Sequence, residues 1–463
     1  MSRLFFAFLL GCLSADIHAQ ETTEEERIAN AKALYKAATE SDRALRNLEF
    51  LADHIGHRLS GSESLAEAVE WASTSMASGG LAVRKQPVAV PHWERGEESA
   101  HLLSPVNKEL EILGLGMTVG GEVEADVVVL THFDQLETQD VQGKIVLFDV
   151  PFTTYRDTVS YRVNGPSRAA EKGAVAVLVR SVSPESLNTP HTGTLSYDEE
   201  APQIPAAALT IEDASWLHRL AEDGETLRLR LSLGAQHHGM VESHNVIADL
   251  PGRELTDEAI LVACHLDSWD VGQGAQDDGA GCMIAWEAAQ LLIDLGLTPR
   301  RTVRVVFFTA EENGIWGGKA YAEEELDALR IIAALESDSG NGIANTLRMD
   351  FSGFEEDLQA EIAGNITNVV ALEMKAAGLE SLVPGFSGAD IGPSVKKGVI
   401  GFGLQHDTSN YWPIHHTHAD TFEKVVPEDL AHNVGIMAIA VYLLAESPIE
   451  ILPPAPKKRR WRR

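Results

Sequence analysis

The amino-acid sequence predicts an α/β protein in which a mainly parallel, mixed sheet is joined to a separate β-rich domain. From residue 243 onward, short apolar runs alternate with segments of helical periodicity, and this alternation is typical of a parallel sheet covered by helices on both faces. Between residues 95 and 238 the pattern changes to strand-like runs, two short helices and proline-rich joins. We therefore expect the β-rich region to be an inserted domain.

The chain of 463 residues divides into five predicted segments. They are a signal peptide at 1–19, the N-terminal part of the main domain at 20–94, the inserted domain at 95–238, the rest of the main domain at 239–450 and a basic tail at 451–463. The first segment resembles a secretory signal because one arginine precedes a short apolar run and small residues follow it. We therefore expect a secreted or periplasmic protein, attached to a membrane only if Cys12 carries a lipid.

The net charge of the chain excludes one class of partner. The 69 acidic and 37 basic residues give a net charge of −32. Because nucleic-acid binding depends on a basic surface that neutralises phosphates, we expect no nucleic-acid partner.

The three cysteines are too few for a disulfide framework. Cys264 ends a predicted strand and Cys282 begins a predicted helix. We expect both to be buried free thiols rather than a disulfide bridge. No Cys-x-x-Cys pair occurs, so we do not expect sulfur ligands on a metal.

Acidic and histidine side chains follow four of the predicted strands, at the points where the strands end. They are His265, Asp267, Asp277, Asp278, Glu311, Glu312, Glu336, Asp338, His415, His416, His418 and Asp420. Because the carboxyl ends of parallel strands meet at one edge of a sheet, we expect these side chains to lie close together. Clustered carboxylates away from water need a cation or another partner. The coincidence at four strand ends therefore predicts a metal site.

The types of side chain favour zinc, which accepts a mixture of imidazole and carboxylate ligands. Four carboxylates carry a charge that two divalent ions balance, and two histidines bind as neutral ligands. The residues in this count are Asp277, Glu311, Glu312, Asp338, His265 and His416. Water bound to such ions loses its proton near pH 7, and one of the adjacent glutamates is free to act as a general base. Asp267 is placed to accept the second ring N–H of His265.

Four motifs carry a resemblance to a known family. They are "HLDSWDVGQGAQDDGAG" at 265–281, "FFTAEENG" at 307–314, "LESDSG" at 335–340 and "HHTHADT" at 415–421. In this order they resemble the dizinc aminopeptidase/carboxypeptidase family, in the subgroup similar to plasma glutamate carboxypeptidase (carboxypeptidase Q-like). The resemblance covers most of residues 45–425. It implies a zinc-peptidase three-layer fold, and it identifies the insertion as a protease-associated domain.

The resemblance also implies a ligand set for two Zn²⁺ ions. His265 and Asp338 would bind one ion. Glu312 and His416 would bind the other, and Asp277 would bridge the two.

At two of the implied ligand positions, a neighbouring residue is an alternative ligand. His415 is the reserve for His416, because three histidines compete in the last motif. Glu336 is the weaker alternative to Asp338 on the third strand. The resemblance further implies a cis peptide bond before Asp278.

These observations predict a zinc-dependent exopeptidase that hydrolyses dipeptides or removes the N-terminal residue of small peptides. A metal-bound hydroxide attacks the peptide, and Glu311 acts as the general base. The alternatives are a glutaminyl cyclase-like zinc enzyme and a non-catalytic, receptor-like binding protein of the same fold. Ser387 lies in "GFSGAD", which resembles a nucleophile elbow, but Ala389 replaces the second glycine, so we interpret it as a loop residue. A homodimer is implied by resemblance alone.

Overall fold

The structure, a computed structural model, describes residues 22–326 and 328–448 of the chain. The predicted signal peptide, Cys12 and the basic tail lie outside these described residues. The described strands form two sheets of eight strands each. An α/β fold with a second, β-rich unit is therefore confirmed.

The strands are numbered in chain order. They are β1 Ala82–Glu94, β2 Glu98–Ser104, β3 Lys108–Leu110, β4 Ile112–Gly114, β5 Gly121–Leu130, β6 Ile145–Phe148, β7 Ala176–Arg180, β8 Ala206–Leu209, β9 Arg228–Leu233, β10 Gln236–Leu250, β11 Leu255–His265, β12 Arg301–Phe308, β13 Arg330–Glu336, β14 Ala344–Asp350, β15 Ser381–Pro384 and β16 Ile400–His406.

The α-helices are numbered in the same way. They are α1 Glu24–Glu40, α2 Arg43–Phe50, α3 Glu63–Ser78, α4 Tyr155–Thr158, α5 Ser160–Val163, α6 Gly165–Glu171, α7 Ile211–Glu222, α8 Ala280–Asp294, α9 Trp316–Glu324, α10 Glu356–Asn365, α11 Ala371–Ala377, α12 Gly392–Val395 and α13 Pro427–Glu446.

The first sheet has the strand order β1-β10-β12-β11-β13-β16-β14-β15. Its four central strands, β12, β11, β13 and β16, are parallel, whereas β10 and β14 run antiparallel to their central neighbours. The central strands are buried almost throughout, as expected of a parallel sheet with both faces covered. Their carboxyl ends lie at one edge, where His265 pairs with Phe308 in register.

Helices α1, α8 and α13 pack against each other over one face of this sheet. Residues 280–292 of α8 are all buried, which explains their nearly continuous apolar sequence. Helix α13 is long and apolar enough to cross a membrane by composition alone, but 78% of its most apolar window is buried inside the fold. We therefore describe α13 as a core helix.

The second sheet has the order β3-β2-β9-β5-β6-β7-β8-β4, with β5 to β8 parallel and the remaining pairs antiparallel. Strands β1 and β10 pair antiparallel, from Ala82 opposite Asp249 to Glu94 opposite Gln236. The chain therefore enters and leaves the second sheet through two strands that lie side by side.

The expectation of free thiols at Cys264 and Cys282 is wrong. The two residues form a disulfide, and their Cα atoms are 4.9 Å apart, within the range that a disulfide spans. Cys264 lies at the carboxyl end of β11 and Cys282 in the first turn of α8. The loop between them brings Cys282 back beside Cys264. A sequence separation of 18 residues does not by itself predict this contact.

Candidate metal centre

The side chains predicted to bind metal come from four strand ends. His265 is the last residue of β11, and Asp277 lies in the turn that precedes α8. Glu312 follows β12, Asp338 follows β13, and His416 lies in the long loop between β16 and α13. The parallel centre of the sheet thus brings residues as far apart in sequence as His265 and His416 to one edge.

Asp277 lies between the other four of these residues. Its Oδ1 atom is 3.3 Å from His265 Nε2 and its Oδ2 atom is 3.3 Å from His416 Nε2. Asp338 Oδ1 is 3.8 Å from His265 Nε2, and Glu312 Oε2 is 3.1 Å from His416 Nε2. The predicted residues therefore form two imidazole–carboxylate pairs that share one carboxylate. The Asp277–Asp278 peptide bond is cis, as the resemblance implied.

The donor set fits metal ions. Asp277 Oδ2 and Glu312 Oε1 are buried and have no hydrogen-bond partner within the described residues. Buried carboxylate oxygens without a partner are costly, and a bound cation removes that cost. Sets of ligand atoms within 4.8 Å of one another include His265, Asp277 and Glu312. Imidazole and carboxylate ligands together suit zinc.

The two imidazole–carboxylate pairs differ in their exposure to solvent. The side chains of His265, Asp277, Glu312 and His416 are at most 7% exposed, whereas the Asp338 side chain is 20% exposed. The pair formed by His265 and Asp338 is therefore the more open to solvent.

The pKa values show how strongly the cluster favours positive charge. Burial lowers the pKa of the His416 imidazole, but the carboxylates of Glu312 and Asp277 more than offset this and raise it to about 9. Burial likewise opposes the charge on His265, yet nearby carboxylates hold its pKa well above the ordinary value. Burial, followed by repulsion from Asp277, raises the pKa of Glu312 to about 7. Cations at the centre would relieve this mutual repulsion.

Glu311 is partly exposed and precedes Glu312 in the loop after β12. Burial raises the pKa of its carboxyl group well above the ordinary value, and the neighbouring carboxylates of Glu312, Asp338 and Asp267 add to the rise. A carboxyl group with a raised pKa suits proton transfer near neutral pH.

Asp267 acts differently from the expectation. His265 Nδ1 lies 3.0 Å from the carbonyl oxygen of Asp267, while the Asp267 carboxylate is 3.7 Å away. The carboxylate instead accepts hydrogen bonds from the backbone N–H groups of Glu311 at 3.0 Å and Glu312 at 3.2 Å. Asp267 thus fixes the loop that carries both glutamates, and its carbonyl group orients the histidine.

Asp420 supports the turn that carries Asp277. Its carboxylate accepts the backbone N–H groups of Gln276 at 2.8 Å and Asp277 at 3.1 Å. Burial, followed by repulsion from Asp277, raises the pKa of Asp420 to about 7.

Arg58 is a supporting residue that the sequence reasoning missed. Its guanidinium group is fully buried and donates hydrogen bonds of 2.6–2.9 Å to four backbone carbonyl groups. Three of these belong to the loop between His265 and Asp277, at Leu266, Gln273 and Gly274. Burial lowers the pKa of Arg58 to about 10. Its only signal was its place in "HRLSGSES", where no chemical pattern singled it out.

The structure distinguishes the alternative ligands. His415 Nε2 lies 3.6 Å from Asp277 Oδ2 and its ring stacks on His416 at 3.5 Å, but only His416 also lies beside Glu312. Glu336 points elsewhere, because its carboxylate accepts the backbone N–H groups of Ala389, Asp390 and Ile391. The geometry thus favours His416 over His415, and Asp338 over Glu336, as candidate ligands.

Three residues of the inserted region reach the cluster. His416 Nδ1 and Arg162 Nη1 each lie 3.3 Å from the carbonyl oxygen of Thr192, and Thr192 N donates to His416 O at 3.0 Å. Since His416 Nε2 faces the carboxylates, we assign the ring proton to Nδ1, with Thr192 as its acceptor. The Tyr155 hydroxyl oxygen accepts from Arg162 Nη2 at 2.9 Å, and the Tyr155 ring packs against His415.

Ser387 shows no sign of a nucleophile. Its Oγ atom is buried and has no hydrogen-bond partner among the described residues, whereas an activated serine requires an adjacent base. The structure therefore agrees with a loop role for Ser387.

With this fold and cluster, the chain belongs to peptidase family M28. It matches that family over residues 245–441 and matches the PA domain over residues 119–217. The PA domain is therefore inserted into a peptidase fold, and the chain is a metallopeptidase.

Among characterised proteins, the chain is similar to carboxypeptidase Q from Bos taurus, with 38% identity over 419 residues that cover 89% of this chain and 87% of that protein. The crystal structure of a peptidase M28 precursor from Shewanella amazonensis SB2B has a TM-score of 0.87 and 34% identity, and covers 94% of this chain and 100% of that one. A zinc aminopeptidase from Bacillus subtilis shares the fold, with a TM-score of 0.64, 21% identity and coverage of 88% and 96%.

These similarities confirm the predicted class of enzyme. The chain is a zinc-dependent exopeptidase that acts on peptides. Neither the glutaminyl cyclase-like nor the receptor-like alternative is favoured.

Proposed function

We propose that the chain hydrolyses dipeptides, or removes the N-terminal residue of small peptides, at a centre of two Zn²⁺ ions. The observation that carries this proposal is the position of Asp277, whose two carboxylate oxygens each lie 3.3 Å from a different imidazole, that of His265 or of His416. A carboxylate between two imidazole–carboxylate pairs is what the bridging ligand of a two-metal site requires.

Each ion would have one histidine and one carboxylate of its own. His265 and Asp338 form the first pair and Glu312 and His416 the second. With Glu311 ionised, four carboxylates balance the charge of two divalent ions, so the filled centre is close to neutral.

Glu311 is the proposed general base. When bound, the two ions supply a water molecule that loses its proton near neutral pH, and they polarise the carbonyl group of the scissile bond. Glu311 lies next to Glu312 but outside the two pairs, and burial raises the pKa of its carboxyl group. It would take a proton from the water and pass it to the leaving amine. Asp267 holds the backbone of this glutamate in place.

Small peptides are the proposed substrates because the side chains of the proposed metal centre are largely buried. Four of the five proposed ligands are at most 7% exposed, and the PA-domain residues Tyr155 and Thr192 contact His415 and His416. A flexible peptide end can enter such a site more readily than a folded chain segment.

We also propose that the chain is exported before it acts. The apolar N-terminal segment is the first support. The disulfide between Cys264 and Cys282 is the second, since disulfides persist in oxidising compartments. N-terminal sequencing of the mature protein tests this proposal and locates the cleavage site.

The test of the proposed function combines elemental analysis with a dipeptide panel. Purified protein should hold two zinc ions per chain and release amino acids from dipeptides, and a chelator should abolish this release. One metal ion per chain with cyclisation of N-terminal glutamine would instead indicate the glutaminyl cyclase-like activity. Metal-free protein that binds peptides without cleaving them would indicate the receptor-like function.

A further inference from the structure

We propose that the disulfide between Cys264 and Cys282 is a positioning element of the metal centre, which slows the loss of the ion held by His265 and Asp338. This inference rests on the proposed two-zinc function. It concerns two residues with no part in ligation or proton transfer.

The disulfide closes the segment that carries two of the five proposed ligands, His265 and Asp277. Its two cysteines are 18 positions apart. The residues between them include His265, Asp267, Asp277 and Asp278. Cys264 is bonded directly to His265 in the chain, so the bridge fixes the backbone at the ligand itself.

A buried carboxylate connects the same two ends. Asp278 is fully buried and accepts the backbone N–H groups of His265 at 3.3 Å and Gly281 at 3.2 Å. Its carboxylate lies within 4.8 Å of both sulfur atoms and, in a second grouping, within 4.8 Å of His265 and Asp338 ligand atoms. The covalent bridge and the carboxylate therefore both connect the two ends of the loop, at His265 and at Gly281.

The packing leaves little room for the loop to shift. Both cysteines are fully buried, and a Cβ atom at Gly281 would overlap the Ser337 carbonyl oxygen and the Asp278 carboxylate. The two ends of the loop are therefore fixed together by the disulfide, by the hydrogen bonds of Asp278 and by close packing around Gly281.

The bridge acts on metal release through local opening. An ion leaves when its ligands separate, and separation of His265 from Asp277 requires the loop to open. Closing a loop covalently removes open conformations in which its ends are apart. Without the bridge these conformations become accessible, and the ion leaves sooner.

The effect should be unequal between the two ions. His265 lies next to the bridge, and Asp338 is the most exposed of the proposed ligands at 20%. Glu312 and His416 come from two other loops outside the bridged segment, and the PA-domain residue Thr192 contacts His416. Loss of the bridge should therefore affect the first ion more than the second.

The experiment compares zinc release from the wild type and from a C264A/C282A double variant, each loaded with zinc and mixed with a coloured chelator. Single-ligand variants D338N and H416A assign the two kinetic phases. In the double variant we expect the phase assigned to His265 and Asp338 to be at least about tenfold faster. The other phase should change less than about threefold.

Loss of buried sulfur atoms also reduces global stability, and a control separates this effect. Leu347 is fully buried in β14, away from the loop, and an L347A variant measures how far general destabilisation alone speeds release. Equal acceleration of both phases, or a change no larger than in L347A, would overturn the inference. A wild type that holds fewer than two ions would instead count against the proposed function.

Discussion

The carbonyl oxygen of Thr192 lies 3.3 Å from Nδ1 of His416. Thr192 belongs to the region between β7 and β8 in the inserted domain, whereas His416 follows β16 of the peptidase sheet. The PA domain therefore contributes directly to the orientation of a proposed metal ligand. Replacing a residue that holds Thr192 in place should therefore weaken the binding of zinc at His416.

Arg162 gives the first prediction, because its Nη1 atom donates to the same Thr192 carbonyl oxygen. An R162L variant should bind the second zinc ion about 10–100-fold more weakly, as is usual when a partner of a metal ligand is lost. Competition with a chelator of known affinity measures the change. R156L is the matched control, since Arg156 is exposed on the preceding helix. Equal zinc affinities in R162L and the wild type would contradict this role.

Replacing Glu311 separates catalysis from metal binding. An E311Q variant should keep two zinc ions but lose about 10²–10⁴-fold in kcat, because it lacks the general base. An E312Q variant should lose zinc as well, since Glu312 lies 3.1 Å from His416 Nε2. Dipeptide hydrolysis and elemental analysis of the two variants provide the comparison. An E311Q enzyme with full activity would remove Glu311 from the mechanism.

Asp267 should matter for stability as well as for activity. Its carboxylate accepts two backbone N–H groups, from Glu311 and Glu312, and an asparagine at this position retains only one acceptor. The D267N variant should lose about 1–3 kcal/mol of unfolding free energy, the cost of an unpaired buried polar group. Denaturant unfolding measures this loss. D407N is the control, because Asp407 accepts one backbone N–H at an exposed site.

The pH dependence of stability should differ between the zinc-free and zinc-loaded protein. Burial and neighbouring carboxylates raise the pKa values of Glu312, Glu336 and Asp420 to about 7, above the ordinary value of about 4. These groups favour folding while protonated, so their contribution is present below about pH 4 and is lost as the pH rises to about 7. The raised pKa of His416, about 9, adds a loss between about pH 6.5 and 9.

The zinc-free protein should therefore unfold at progressively lower temperatures as the pH rises from 5 to 9. Bound zinc replaces the protons of the proposed ligands Glu312 and His416, so the difference in Tm between the two forms should widen over the same range. Thermal unfolding of both forms in a buffer series provides the measurement. A constant difference would show that protons and zinc do not compete for the cluster.

The sequence was sufficient to predict the parts of the molecule that follow from local pattern. The apolar runs before His265, Glu311 and Asp338 identified buried strands, and the parallel alternation placed their ends at one edge. This pattern predicted a cluster of candidate side chains, and the family resemblance implied which five of them bind metal. The structure brings all five together.

The remainder depends on contacts between distant segments. The sequence does not show that the loop after Cys264 returns to Cys282, so the disulfide was missed. It likewise does not show that Arg58 lies beneath that loop or that Thr192 approaches His416. The prediction that the Asp267 carboxylate accepts the ring N–H of His265 was wrong in detail. The carbonyl oxygen of the same residue lies closer to His265 Nδ1. Tertiary packing decides each of these points.

The proposed bridging role of Asp277 is tested most directly by counting zinc ions in single-residue variants. Because its two oxygens face different histidines, D277A should lose both ions, while H416A should lose only the ion that it shares with Glu312. Elemental analysis of the wild type, D277A and H416A after passage through a metal-free column provides the counts. We expect two ions in the wild type, none in D277A and one in H416A. Retention of both ions by D277A would contradict the proposed centre.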